Sequence, residues 1–80
     1  MNIELIRGGI WMFYNYYVNK NAQVNGDHEV HREDCAKLPL SENRIYLGAH
    51  EDCFAAVVKA RTYYSQVDGC KICCYSCHTS

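Results

Sequence analysis

A chain of 80 residues and 9.2 kDa has room for one small domain, and a domain of this size buries only about 60–65% of its unfolded surface. The hydrophobic fraction of 49% counts six cysteines and seven tyrosines, so Ile, Leu, Val, Met, Phe and Trp together number only 20. A core this thin leaves little net stability unless a disulfide or a metal ion reinforces it. The composition therefore predicts a single cross-linked domain over residues 1–80.

The charge balance and the hydropathy pattern disfavour two classes of partner. Eight Lys and Arg face nine Asp and Glu, the net charge is −1, and no basic run occurs, whereas binders of the phosphate backbone usually carry a basic stripe. Nucleic acid is thus a secondary candidate. The most apolar stretch, residues 8–18, is too short to span a bilayer, so no membrane partner is expected.

The cysteine content bears on the compartment. In a reducing cytosol, cysteines more often bind metal than form structural disulfides. We therefore predict a cytoplasmic metal-binding protein, and a secreted protein held together by disulfides is the alternative.

The first half of the chain predicts two strands. Residues 10–18 (IWMFYNYYV) are rich in aromatic and β-branched residues, which is typical of a strand. Asn25-Gly26 is a strong hairpin signal because a type I′ turn needs positive φ at both central positions, and residues 28–31 then form the return strand. Met12 is an alternative start, so residues 1–11 are interpreted as an N-terminal extension of a zinc-binding domain at 12–80.

The second half predicts a loop, a strand and the main helix. Pro39 marks a loop over residues 38–43, and residues 44–47 form a short strand that ends at Gly48. A helix is predicted over residues 51–64, with Phe54, Val57 and Val58 on one apolar stripe. The predicted fold is α+β: a short antiparallel sheet, one main helix and a C-terminal Cys-rich knuckle.

Cysteines and histidines occur at spacings typical of a metal site. Cys70 and Cys73 form a Cys-x2-Cys pair, which lets two thiolates of one tight turn reach a single ion. His28, His31 and Cys35 form a second group, separated from the first by a strand and a helix. Two such groups are the usual components of a tetrahedral structural zinc site, so Zn²⁺ is the predicted cofactor.

These motifs carry a resemblance to a known family. The segments His31-Arg-Glu-Asp-Cys35, Asn43-Arg-Ile-Tyr-Leu-Gly48, an Ala-containing helix and Gly69-Cys-Lys-Ile-Cys73 resemble the N-terminal zinc-binding domain of the Ada DNA-repair proteins and its stand-alone relatives, over roughly residues 14–73. The resemblance implies that His31, Cys35, Cys70 and Cys73 hold the zinc. It does not carry over methyl transfer, because His31 stands where the family has its reactive cysteine.

The remaining ligand-type residues leave several alternatives open. His28, Cys53, Cys77 and His78 are candidates for a second metal site or for replacing one member of the first. Residues three apart in a strand point to opposite faces, which disfavours His28 and His31 on one ion. Cys53 and Cys77 are alternatively paired as a disulfide, and Cys53 and Cys74 are alternatively small buried hydrophobes.

A non-enzymatic interaction module is the predicted function. A zinc ion with four protein ligands has no open position for a substrate, so no catalytic residue is assigned. The dense aromatic segment is interpreted either as core or as a binding surface for a protein partner; it comprises Trp11, Phe13, Tyr14, Tyr16 and Tyr17. An inhibitor-like protein belongs to the same hypothesis, and a nucleic-acid-binding module of the Ada type is the alternative.

Overall fold

The chain folds as a four-stranded sheet with one helix packed on one face. The computed structural model describes residues 12–79, so Trp11 and the predicted extension over residues 1–11 lie outside the described residues. The predicted α+β class is confirmed. The elements are β1 (Tyr14–Asn19), β2 (His28–Arg32), β3 (Arg44–His50), α1 (Cys53–Ala60) and β4 (Val67–Gly69), with 3-10 turns at Ser41–Asn43 and Tyr75–Cys77.

The sheet is mixed, with strand order β3-β1-β2-β4. Strand β1 runs antiparallel to both β2 and β3, whereas β4 pairs in parallel with β2, so that Val30 lies opposite Gly69. The predicted antiparallel sheet is present in β1, β2 and β3, and β4, which was not predicted, adds a parallel strand at one edge. The chain passes through α1 on its way from β3 at one edge to β4 at the other, and β4 then runs in the same direction as β2, as crossover connections through a helix permit.

The connection between β1 and β2 is longer than the predicted two-residue hairpin. It covers residues 20–27. Gly26 has φ +95°, but no non-glycine residue in the described part of the chain has positive φ, so Asn25-Gly26 is not a type I′ turn. The Asn25 side chain instead accepts a hydrogen bond from the Asp27 N–H at 2.9 Å, and this local bond favours an Asx turn.

Strand β3 continues past the predicted end at Gly48. The register with β1 shifts between Tyr16 and Tyr17, which pair with Gly48 and Tyr46, so Leu47 is an extra residue on β3. Gly48 has φ +95°, a conformation that glycine tolerates and that accompanies many bulges. Beyond the bulge, β3 continues to pair with β1 as far as His50, which lies opposite Tyr14.

The helix is shorter than the predicted span of residues 51–64. Asp52 is the N-cap, and its carboxylate accepts hydrogen bonds from the N–H groups of Phe54 and Ala55. The helix ends at Ala60, after which the Thr62 hydroxyl donates to the Lys59 carbonyl at 2.7 Å. Glu51 and Asp52 lie within the predicted span but precede the helix, because the Asp52 carboxylate at the N-cap satisfies free N–H groups of the first turn.

The helix also buries a different face from the one predicted. Phe54 and Val58 are 58% and 62% exposed, and of the predicted stripe only Val57 is buried. Ala56 and Ala60 are fully buried instead, because their small side chains let the helix lie close to the sheet. The core beneath α1 is formed by side chains of the first three strands: Tyr16, Val18, Val30 and Leu47.

No helix in the described range 12–79 is both long and apolar enough to cross a membrane.

Candidate metal centre

Strand β2 directs its two histidines to opposite faces of the sheet. Val30 is fully buried among the core residues that pack against α1. Successive side chains in a strand alternate between faces, so His31 lies on the face away from α1. His28, on the α1 side, stacks on Tyr64 with ring centroids 3.6 Å apart, and its Nδ1 lies 2.9 Å from the Asn19 carbonyl. His28 is thus separated from His31 and is engaged elsewhere.

Three cysteine side chains meet beside His31. Cys35 lies in the turn after β2, where its N–H donates to the Arg32 carbonyl at 3.0 Å. Cys70 follows β4, and its N–H donates to the Val30 carbonyl at 2.9 Å, which extends the parallel pairing by one step. Cys73 lies one turn further along. Because β4 runs parallel to β2, the residues that follow both strands meet at the same end of the sheet.

The distances within this cluster fit a tetrahedral metal site. One ligand atom from each of His31, Cys35, Cys70 and Cys73 lies within 4.8 Å of every other. The Sγ atoms of Cys35 and Cys70 are 3.9 Å apart, and Cys73 Sγ is 3.9 Å from His31 Nδ1. Four ligands held about 2.3 Å from one ion are separated by about 3.8 Å. The four residues can therefore hold a metal ion with little rearrangement.

Backbone N–H groups point at all three sulfur atoms of the cluster. Arg32 N lies 3.2 Å from Cys73 Sγ. Lys37 N lies 3.4 Å from Cys35 Sγ, and Ile72 N lies 3.4 Å from Cys70 Sγ, so both of these donors follow their cysteine by two positions. A hydrogen bond to a charged acceptor is stronger than one to a neutral acceptor. The donors therefore stabilise these sulfurs most when they are thiolates, the form that binds metal.

Burial keeps the metal-free cluster uncharged near neutral pH. It lowers the pKa of His31 to about 4 and raises the pKa of Cys70 to about 12. Burial also raises the pKa of Cys35, and a hydrogen bond with Cys74 together with burial raises that of Cys73. The imidazole is thus neutral and ready to bind an ion, whereas each thiol has to release its proton to the solvent on metal binding.

Gly69 allows the C-terminal turn to fold back over β4. A Cβ atom at this position would lie 2.7 Å from Cys77 Cβ and 2.8 Å from the Cys74 carbonyl oxygen. Contacts this short do not occur between real side-chain carbons and backbone, so only glycine fits. Gly69 thereby permits the close approach that places Cys70 and Cys73 on one side of the turn and Cys77 on the other.

The alternative ligands Cys53 and Cys77 form a disulfide. The sequence left this pairing open, and in this state neither sulfur is a thiolate ligand. Cys53 begins α1 and Cys77 ends the second 3-10 turn, so the bond ties the C-terminal segment to the helix. The other four cysteines are free.

His78 and Cys74 also lie outside the four-residue cluster. His78 Nδ1 is 2.9 Å from the Gly69 carbonyl and 3.2 Å from an Asp68 carboxylate oxygen, which holds His78 against β4. Cys74 is only 2% exposed and belongs to the hydrophobic core, although its Sγ is 3.8 Å from that of Cys73. Its position agrees with the interpretation of Cys74 as a small buried hydrophobe.

The aromatic segment is divided between the two faces of the sheet. Tyr16 is 3% exposed and belongs to the core, and Tyr14 packs against it. Tyr17 pairs with His31 on the opposite face and contacts the ring of Tyr46, with centroids 5.4 Å apart. Phe13 precedes β1 and is half exposed. Neither interpretation holds for the whole segment, because alternation along β1 assigns its tyrosines to both faces.

Sequence reasoning missed one side chain near the cluster. Glu29 Oε1 lies 3.6 Å from His31 Nε2. Glu29 also lines a surface hollow of about 380 Å³ together with Lys37, Lys71 and Ile72. The two-residue spacing of Glu29 and His31 within a predicted strand was the available signal, because such residues share one face.

No family model, no curated protein and no solved structure matches this chain.

Proposed function

We propose that the protein is a small domain stabilised by a structural Zn²⁺ ion at His31, Cys35, Cys70 and Cys73, and that it acts as a non-enzymatic protein-interaction module. The observation that carries the metal assignment is the convergence of four ligand atoms within 4.8 Å. The N–H groups directed at three of those atoms support it independently.

The donor set favours zinc over other common ions. Mg²⁺ and Ca²⁺ take oxygen ligands, whereas three thiolates and one imidazole suit Zn²⁺, which prefers tetrahedral sulfur and nitrogen sites. Binding a structural zinc ion supplies apparent free energy on the order of 10 kcal/mol. That exceeds the net stability of about 3–5 kcal/mol that a single hydrophobic core usually supplies in a domain of about this size, so the domain would depend on the ion for its fold.

A complete set of protein ligands argues for a structural ion. Catalytic zinc sites keep one position for water or substrate, whereas here four protein side chains converge. The proposed site therefore has no place for a reacting molecule, and we assign the protein no catalytic activity.

Native mass spectrometry of the purified chain tests the metal proposal directly. We expect one zinc ion per chain, and removal of the ion by a chelator should shift the charge-state distribution to that of an unfolded chain. A Glu42→Gln variant, changed at an exposed position in the first 3-10 turn, is the matched control and should retain the ion. A chain that remains folded in chelator and never carries zinc would overturn the proposal.

The interaction role is supported by the sheet face that does not carry α1. Tyr46 is 52% exposed, and its hydroxyl donates to Asn15 Oδ1 at 2.6 Å, which holds the ring in place. Arg44 lies over the Tyr17 ring at 4.5 Å. Tyrosine and arginine are enriched where proteins bind one another, so this face is proposed to contact a protein.

Site-specific photo-crosslinking tests the partner proposal. With p-benzoylphenylalanine at position 46, irradiated cells should yield a discrete protein adduct. The same amino acid at Val24, a fully exposed loop residue, is the control and should not yield that adduct. Adducts sensitive to nuclease would instead favour the nucleic-acid module that the Ada resemblance implies. The absence of any adduct specific to position 46 would count against both partners at this face.

The cytoplasmic location is a separate proposal. Free thiols at Cys35, Cys70 and Cys73 suit a reducing compartment, whereas the Cys53–Cys77 disulfide suits an oxidising one. Alkylation of cells before lysis distinguishes the two: a cytoplasmic protein should yield Cys53 and Cys77 in the alkylated, reduced form.

A further inference from the structure

Glu29 and His31 lie side by side on one face of β2, with His31 buried and Glu29 partly buried. Two residues apart in a strand, both side chains point away from α1. The His31 side chain is only 2% exposed and that of Glu29 only 17%. The His31 ring is a neighbour of the Glu29 carboxylate, with Glu29 Oε1 3.6 Å from His31 Nε2.

The two nitrogens of the His31 ring have different neighbours. Nδ1 lies 3.9 Å from Cys73 Sγ, on the side of the three thiols. Nε2 lies 3.6 Å from Glu29 Oε1. The two nitrogens of an imidazole point in widely different directions, so only one of them can bind the ion. The ring as placed offers Nδ1 to the cluster and Nε2 to the carboxylate.

We propose that His31 binds the metal through Nδ1 and that Glu29 is a positioning residue that accepts a hydrogen bond from Nε2–H. The inference rests on the proposed metal site and goes beyond it, because it assigns the coordinating atom and a residue that does not touch the ion. The separation of 3.6 Å slightly exceeds a hydrogen bond. A shift of the carboxylate by about 0.7 Å would bring it to the usual length of about 2.9 Å.

A carboxylate that accepts a hydrogen bond from a metal-binding imidazole affects both the tautomer and the orientation of the ring. A proton held on Nε2 leaves the lone pair on Nδ1, so the carboxylate selects the tautomer that can bind metal. It also fixes the ring and makes the nitrogen ligand more basic. Loss of such an outer partner typically weakens metal affinity by about 10- to 100-fold. Lys37 and Lys71 line the same hollow and offset the negative charge of a site with three thiolates and one carboxylate.

NMR of the cadmium-loaded chain tests which nitrogen binds. With nitrogen-labelled protein and an NMR-active cadmium isotope, we expect scalar coupling between the ion and His31 Nδ1, together with a slowly exchanging Nε2 proton. In Glu29→Ala the coupling to Nδ1 should persist while the Nε2 proton exchanges faster. A merely structural role for Glu29 would leave this proton unchanged, so the exchange rate separates positioning from folding.

Zinc competition against a chromophoric chelator supplies the affinity. Glu29→Ala should bind zinc about 10- to 100-fold more weakly. Glu29→Gln, which retains an accepting oxygen but no charge, should recover part of the loss, and Glu42→Gln should match the parent chain.

The outcomes of these measurements are distinguishable. Coupling to Nε2, or equal zinc affinity of Glu29→Ala and the parent chain, would overturn the role of Glu29 and leave the metal site standing. A parent chain that binds neither zinc nor cadmium would overturn both the metal site and this inference.

Discussion

The C-terminal segment takes part in two contacts of different chemistry, the proposed metal site and a disulfide. At its start, Cys70 and Cys73 join His31 and Cys35 on the side of the sheet away from α1. At its end, Cys77 is bonded to Cys53 at the start of α1. An ion in the proposed site would attach the segment to the sheet, and the disulfide attaches it to the helix. Gly69, against which Cys77 packs, lets the chain turn tightly between them.

The two links differ in how much of the fold each one organises. The four-residue cluster connects β2, the turn that follows it and the turn after β4, and it lies at the end of the parallel strand pair. The disulfide joins two residues that are 24 positions apart. Because β4 has only three residues and lies at the sheet edge, its pairing alone stabilises little. We therefore expect an ion in the proposed metal site to keep β4 in the sheet and the disulfide to act as a secondary restraint.

Breaking the cluster should have the largest effect. Cys73→Ser should abolish tight zinc binding, because a serine hydroxyl is a poor replacement for a thiolate ligand, and the apparent stabilisation lost is on the order of 10 kcal/mol. We expect the variant to be unfolded or molten by circular dichroism and by the dispersion of its NMR spectrum.

The neighbouring cysteine provides the control for that substitution. Cys74→Ala removes a buried sulfur of the core but no proposed ligand, so it should cost about 1 kcal/mol and retain one zinc per chain. Equal losses of zinc in Cys73→Ser and Cys74→Ala would contradict the assignment of the ligands.

Breaking the disulfide should have a smaller effect. In the chain-entropy description, a cross-link over 24 positions contributes about 3.5 kcal/mol. The double variant Cys53→Ala and Cys77→Ala should therefore remain folded and zinc-bound, with a lower midpoint in chemical denaturation. Reduction of the parent chain should lower its midpoint by a similar amount while leaving the Cys53→Ala/Cys77→Ala variant unchanged.

A larger loss of stability on removal of the disulfide than on removal of the ion would contradict the expected order of the two effects. If the double variant unfolds while the chelator-treated parent chain stays folded, the disulfide is the principal restraint and the cluster is secondary.

Local sequence signals predicted the type of most elements but not their limits. The aromatic segment predicted β1, yet the strand covers Tyr14–Asn19. The predicted helix began at residue 51, whereas Asp52 is the cap of a helix that begins at Cys53. The apolar spacing of Phe54, Val57 and Val58 predicted the wrong helix face, because the sheet selects small residues where the helix approaches it closely. Helix propensity and hydrophobic periodicity carry no information on how closely the helix approaches the sheet.

The cysteine pairing was open in the sequence for a similar reason. Cys-x2-Cys spacing indicates that Cys70 and Cys73 belong together, since one tight turn brings them close. The pairing of Cys53 with Cys77 depends instead on where the second 3-10 turn lies relative to α1. Alternation along β2 could have predicted that Glu29 and His31 share one face of the strand. Only the tertiary structure shows that this is the face on which the cysteines of the cluster lie.

The sequence by itself determined that the hydrophobic content of this chain overstates its core. Six of the residues counted as hydrophobic are cysteines; in the fold three of them join His31 in a metal-type cluster and two form a disulfide. Spacing also predicted the α+β class, because helical and strand signals are local. Only the tertiary structure decided that β4 pairs in parallel with β2, and this pairing brings Cys70 and Cys73 to His31 and Cys35. Contacts between residues so distant along the chain depend on strand order and direction, which local sequence patterns do not encode.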